Sequence, residues 1–303
     1  MMEVNISTHL SVGRKNSEKD LGVWPDEILL ETVLLSAVNL FLSCTALIGN
    51  VLILATILNT SSLHTAANFL LANLAVSDLA VGLVGHPLFV TALLVRLYHP
   101  GINGVSPLLW RIFNTVISFS CGASFFTITA IGVDRLLALQ LHLRYVAIVT
   151  PFRVGWIIFL IWVVSGVFSS VRLYAHLSYN ALSPIIFTLL VGNSAVYLKV
   201  YLIVRRHLKQ VIHREGPTNR DSIFSVQRFK RSALNTFLVY ILMLCCYLPY
   251  SLVLEIFFKG IDISLLARHL TTTIVLLNSS LNPLLYYWRV REIRSAMKHY
   301  FCR

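Results

Sequence analysis

An aspartate within a long apolar stretch is the first group here whose type and place could do chemistry. Asp78 follows Leu74-Ala75-Val76-Ser77, near the middle of the apolar run Ala66 to Leu94. In lipid such a group must either be neutral or have a cation and hydrogen-bond donors nearby. Other runs supply candidates: Asn50, Ser124, Asn278, Ser279 and Asn282. Their oxygens and amides suffice to hold a small hydrated cation such as sodium, and suffice equally to glue helices together as a polar network. Sequence leaves both readings open. The second group is Asp134-Arg135, close to the end of another run, where the two can pair through side-chain reach. A lone Arg at that depth could simply snorkel, but one that follows an Asp carries more information. Pro249 and Pro283 sit inside runs; each should free a carbonyl about four residues earlier and give a hinge. Catalysis is not indicated, because Ser, His and Cys occur without a triad-like or metal-ligand grouping. Cys245-Cys246 are two adjacent thiols in one run, not a spaced ligand pair.

What must position these groups is a set of membrane-spanning helices. The chain is 56% hydrophobic and only 13% charged, with a mean hydropathy of +0.74, so lipid suits it better than water. Seven runs approach the length that crosses a hydrocarbon core: Thr32 to Leu58, Ala66 to Leu94, Pro107 to Leu139, Arg153 to Tyr174, Ala181 to Val204, Ser232 to Phe258 and His269 to Trp288. Backbone groups in lipid have no water to pair with, so each run should be helical and the fold an all-α seven-transmembrane bundle. The expected divisions are a tail over 1–30, a seven-helix domain over 31–288 and a terminal segment over 289–303.

The net charge of +12 is spread between and after the runs, which points to lipid headgroups and inner-side partners and not to nucleic acid. Arg205, Arg206, Lys209, Arg214, Arg220, Arg228, Lys230 and Arg231 separate the fifth and sixth runs, and Arg289, Arg291, Arg294, Lys298 and Arg303 follow the seventh. Those sides should be cytoplasmic and the N-terminal tail outside. Gly216-Pro217, within Arg214 to Arg220, is the expected linker. The tail has no apolar core of a cleaved signal peptide, so the first span is expected to do the targeting. Asn5-Ile6-Ser7 in that tail is a glycosylation sequon; Asn59-Thr60-Ser61 also fits, on the inner side. After Trp288, Val290, Ile293 and Met297 alternate at helical spacing with basic residues, reading either as an amphipathic surface helix or as a basic tail drawn to anionic lipid. Cys302 next to it is a candidate for palmitoylation.

Taken in order, Gly49-Asn50, Leu74-Ala75-Val76-Ser77-Asp78, Asp134-Arg135-Leu136, Trp162, Tyr197, Cys246-Tyr247-Leu248-Pro249 and Asn282-Pro283-Leu284-Leu285-Tyr286 resemble the motifs of the rhodopsin-like class A receptors over nearly the whole chain. The resemblance implies a ligand-biased equilibrium in which the sixth helix swings outward and admits a heterotrimeric G protein. It assigns Asp134, Arg135, Tyr197, Tyr247, Pro249, Asn282, Pro283 and Tyr286 to coupling and switching. It also implies an allosteric sodium site at Asp78, Ser124, Asn278, Ser279 and Asn282, with no obligatory cofactor.

The sequence departs from that pattern in several places. Leu136 replaces the motif's Tyr and Tyr247 its Trp, so altered basal activity is expected. Trp110 stands where the outer disulfide would begin, the second outer loop is very short and lacks Cys, and Leu189 replaces a common Pro. Those absences resemble the melanocortin, cannabinoid, sphingolipid and adenosine receptor branch. Ile117 occupies the place of an amine receptor's carboxylate and Leu276 that of an opsin's lysine. Leu88, Trp110 and Asn114 replace the melanocortin acidic cluster, and Leu254 the adenosine-type Asn. The expected outer cup is therefore Asn114, Ile117, Ser118, Cys121, Leu254, Glu255, Phe258, His269 and Thr273, apolar with few anchors. It suits a small or lipid-like ligand, with a peptide still open. Glu255 either faces the cup or snorkels outward. A transporter or channel lacks support, since neither paired interrupted helices nor a ring of like charges is present. A receptor-shaped binder that does not couple remains the competing expectation.

Overall fold

The computed structural model describes residues 26–98, 105–141, 144–174, 179–215, 220–258, 261 and 264–301. Among them the helices are α1 Asp26–Asn59, α2 Ala66–Tyr98, α3 Val105–Leu141, α4 Pro151–Tyr174, α5 Tyr179–Glu215, α6 Arg220–Phe258, α7 Leu265–Arg289 and α8 Arg291–Phe301. A single turn, Tyr145–Ile148, lies between α3 and α4. Helices α1 to α6 are long and apolar enough to cross a membrane. Helix α7 is less apolar because its polar side chains bond to neighbouring helices. Thr273 accepts from Asn39 at 3.0 Å, Ser280 donates to the Leu42 carbonyl at 2.8 Å, and Asn282 donates to Asp78 at 2.8 Å.

The seven helices close into a ring, α1 against α2 and α7, and α6 against α5 and α7, with α3 packed on α2, α4 and α5. Side chains such as Phe41, Ile48, Leu83, Phe159, Val167, Leu198 and Leu284 are exposed around this ring. Lipid is the solvent that tolerates so continuous an apolar belt. Two helix starts are fixed by caps: Thr65 accepts from the Asn68 amide at 3.3 Å and Ser264 from the Ala267 amide at 3.2 Å.

Helices α5 and α6 run further than the apolar runs, to Glu215 and from Arg220, and Gly216-Pro217 of the expected linker lies outside the described residues. Beyond the membrane a helix needs no apolar content, which is why hydropathy placed their ends too early. Helix α2 contains a π turn at Val81–Gly85 that the apolar pattern does not announce. Helix α8 is the amphipathic segment: Ile293 is fully buried, and Val290 and Met297 pack against the bundle core. Asn5 and Cys302 lie outside the described residues.

Candidate functional site

The polar centre forms where α1, α2, α3 and α7 meet. Asp78 is fully buried; Asn282 donates to its Oδ2 at 2.8 Å, Ser124 to its Oδ1 at 3.3 Å, and Ser279 also hydrogen-bonds it. Ser124 further donates to Ser77 at 2.9 Å. Both polar atoms of the Asn278 side chain, Oδ1 of Asn282 and Oδ1 of Asn50 are buried without a hydrogen-bond partner among the described residues. Carboxylate, hydroxyl and amide oxygens are a hard donor set suited to a sodium ion, and the unpartnered oxygens leave donors available, so the residues present fit the ion. No cluster of three or more His, Cys, Asp or Glu that could hold a metal occurs among the described residues.

Proline chemistry stitches this centre together. Pro283 has no N–H for the Ser279 carbonyl four residues earlier, and the Asn50 amide fills that vacancy at 3.0 Å. The approach requires Gly49: a Cβ there would lie 2.7 Å from Pro283 Cβ. Gly49-Asn50 and Asn282-Pro283 are thus two halves of one α1–α7 contact. On the opposite side Trp162 donates to Asn73 Oδ1 at 2.8 Å and Asn73 to Thr127 at 2.7 Å, joining α4, α2 and α3.

Toward the C-terminal end of α3, Asp134 is 4% exposed and holds two partners. Arg135 NH2 lies 2.9 Å from Oδ2, and the Tyr145 hydroxyl donates to Oδ1 at 2.6 Å. Burial and then the neighbouring carboxylate push the Tyr145 phenol well above its ordinary range, so it remains a donor at physiological pH. Two turns above, Tyr197 donates to the Ile128 carbonyl at 2.8 Å and stacks on Tyr240 of α6 with ring centroids 4.4 Å apart. Gly132 makes room, since a Cβ there would sit 2.9 Å from Tyr197 Cε2. The buried Tyr286 hydroxyl has no hydrogen-bond partner among the described residues.

The ends of α2 to α7 remote from Asp134 enclose a cavity of about 340 Å³. Of the residues expected in it, Asn114, Ile117, Ser118, Cys121, Leu254 and His269 line it, and Tyr247 closes its inner end, donating to the Cys121 carbonyl at 3.4 Å. Glu255 and Thr273 are not in the lining. Glu255 is one position past Leu254, about 100° around the helix, and Thr273 is turned toward α1 by its bond from Asn39. The side chain of Phe258 is outside the described residues.

Two features went unseen in the sequence. Phe89, Trp110, Phe113 and His269 form an aromatic knot across α2, α3 and α7, with Trp110 stacked on His269 at 5.9 Å and 4°. Trp110 thus anchors α3 at the position where the resemblance led one to look for a disulfide. The cup is also less apolar than expected, since Arg96, Arg172 and Arg268 line it. Arg172, in the last turn of α4, reaches to Asn114 and Ser118. Its place in the last turn of an apolar run, one helix away from two polar residues on α3, was the available signal.

A cavity on one side, a pairable ionic latch on the other and a buried polar centre between them suit a molecule that passes a conformational signal across a membrane. The model of the family 7 transmembrane receptor (rhodopsin family) matches residues 49–181. Melanocortin receptor 4 of Danio rerio is 28% identical over 282 residues, 90% of this chain and 85% of that receptor. Melanocortin receptor 5 of Homo sapiens is 27% identical over 277 residues, 88% and 84% of the respective chains. Adenosine receptor A2a of Canis lupus familiaris is 24% identical over 303 residues, 86% and 70% of the respective chains. Motif geometry, bundle and likenesses together make this chain similar to the class A, rhodopsin-like receptors and support G-protein-coupled signalling in response to an extracellular ligand by a multi-pass plasma-membrane protein that is not an enzyme.

Proposed function

We propose that ligand in the outer cavity is read by Tyr247 and transmitted down α6 to the Asp134–Arg135 latch, which opens to admit the G protein. The observation that carries this is the continuity of contact. Tyr247 lines the cavity and touches α3 through Cys121 and, ring to ring at 6.3 Å, Phe125. Two turns further along α6, Tyr240 stacks on Tyr197, which is bonded to α3 just above Asp134. A shift of α6 therefore disturbs both contacts at once. In this reading Pro249 supplies the α6 hinge, Pro283 that of α7, and Tyr197 and Tyr286 take up Arg135 when it leaves Asp134. The unpartnered Tyr286 hydroxyl supports that role.

Asp78, Ser124, Asn278, Ser279 and Asn282 would hold a sodium ion, which when bound contributes a positive charge that favours the packing seen here. The excess of Lys and Arg after α5 and α7 supports a cytoplasmic C-terminus and an extracellular N-terminus, with Asn5 on the glycosylated side and α8 and Cys302 against the inner leaflet. The absent outer cysteines support the melanocortin, cannabinoid, sphingolipid and adenosine branch. The relatives' ligands do not transfer residue by residue, since Leu254 replaces the adenosine-type Asn and Leu88, Trp110 and Asn114 the melanocortin acidic cluster. A small or lipid-like ligand fits the cavity better. Two comparisons test this reading. Replacing sodium by N-methylglucamine at constant ionic strength should lower the unfolding midpoint of the wild type and leave Asp78→Asn unmoved. Tyr247→Leu should alter ligand-driven nucleotide exchange more than ligand affinity; equal effects on both would contradict transmission through Tyr247.

A further inference from the structure

We infer that the outer cavity is built for an organic anion with an apolar body, its head group held by Arg172. This rests on the reading of that cavity as the ligand site and adds the chemistry of the ligand. Three arginines and no carboxylate are among the side chains that line it. Arg172, in the last turn of α4, turns its guanidinium across to α3, where NH1 donates to Ser118 Oγ and, at 3.3 Å, to the Asn114 carbonyl, and NH2 donates to Asn114 Oδ1 at 3.4 Å. All of these partners are neutral, and no carboxylate lies within ion-pair distance of Arg172 among the described residues. Arg96 and Arg268 stand together at the rim and repel each other, with Glu31 attracting Arg96. Glu31 also approaches His269, 3.8 Å from its Nδ1, and so belongs to the rim and not to Arg172.

A guanidinium keeps its charge at any accessible pH, and a partly buried one without a counter-charge is costly. An oxyanion in the cavity removes that cost, because the planar fork matches a carboxylate or a phosphate monoester with paired hydrogen bonds. Ser118 and Asn114 hold the guanidinium in place for it. The other walls include Phe113, Phe125, Phe126, Tyr247 and Leu254, which suit a hydrocarbon or ring system. The volume of about 340 Å³ is at the small-molecule end of ligand pockets, about 300–1,000 Å³. Cationic ligands, amines and basic peptides alike, meet the wrong sign of charge here.

The test uses the full-length receptor in phosphatidylcholine nanodiscs, with binding read by competition and by the unfolding midpoint. Oleic acid and oleoyl lysophosphatidic acid carry the two anionic heads; oleamide and monoolein are neutral counterparts of the same chain. One or both anions should bind on the order of tenfold more tightly than their neutral counterparts, and whichever anion binds better identifies the head group as carboxylate or phosphate. Arg172→Gln should erase the preference and Arg172→Lys should keep part of it. Equal binding of acid and neutral partner to the wild type would overturn the proposal without recourse to any variant, as would a preference that survives in a folded Arg172→Gln. Nucleotide exchange on a G protein in the same discs separates the two readings. Anion preference with no exchange supports the site and counts against coupling, whereas exchange driven only by neutral or cationic compounds supports coupling and overturns the site.

Discussion

Asp134 shows how much a single buried carboxylate can govern. Its two oxygens are divided between Arg135 at 2.9 Å and Tyr145 at 2.6 Å, so either partner's loss loosens the inner end of α3. Asp134→Asn should raise basal nucleotide exchange by releasing Arg135. Tyr145→Phe should raise it by about tenfold or more, the scale of a hydrogen bond to a charged group. Unchanged basal exchange in both, at matched expression, would mean that this latch does not restrain the receptor. The Asp-Arg pair was legible because the two are neighbours in sequence. Tyr145 was not, since only the turn of chain after α3 brings a residue 11 positions on against Asp134. Arg172 was visible as a charge but not as a cavity residue, because periodicity near a helix end does not say which way a long side chain turns.

At the scale of elements, close approaches carry the assembly. Gly132 allows Tyr197 to pack across α3 with a separation that any Cβ would violate, at 2.9 Å, whereas a Cβ at Gly155 meets nothing within 4 Å. Gly132→Ala should therefore cost about 1–3 kcal/mol, read as a lower unfolding midpoint in detergent, and Gly155→Ala should be neutral. A neutral Gly132→Ala would show that α3 and α5 are less tightly joined than the distances require. In the contact of Trp162 with Asn73, Trp162→Phe should cost about 0.6 kcal/mol, a typical interhelical hydrogen bond in a membrane. Six of the spans were legible because lipid demands about 20 apolar residues from each, while α7, whose polar side chains bond to its neighbours, gave a weaker signal. Their ends were not where α5 and α6 continue into water, and the π turn at Val81–Gly85 leaves no trace in hydropathy. The Asn50 bond to the carbonyl freed by Pro283 was half legible: the missing donor could be foreseen, its replacement could not.

On the scale of the whole molecule, an apolar belt holds the bundle in lipid while its polar groups turn inward. The aromatic knot of Phe89, Trp110, Phe113 and His269 ties α3 to α2 and α7 at the outer end. Trp110→Ala should lower the unfolding midpoint by the equivalent of about 3–5 kcal/mol, and a much smaller loss would show that the knot is not what anchors α3. The ligand side and the latch side are then joined through α6 and the polar centre, which is what a transmembrane switch requires. The most direct measurement of that switch is nucleotide exchange on a panel of heterotrimeric G proteins, with wild type and Arg135→Ala matched for surface level, first without ligand and then with the anionic amphiphiles. Exchange by the wild type on at least one G protein, abolished in Arg135→Ala, is the expected result. Exchange that persists in Arg135→Ala, or none from a wild type delivered to the surface under every condition, would contradict coupling through the latch.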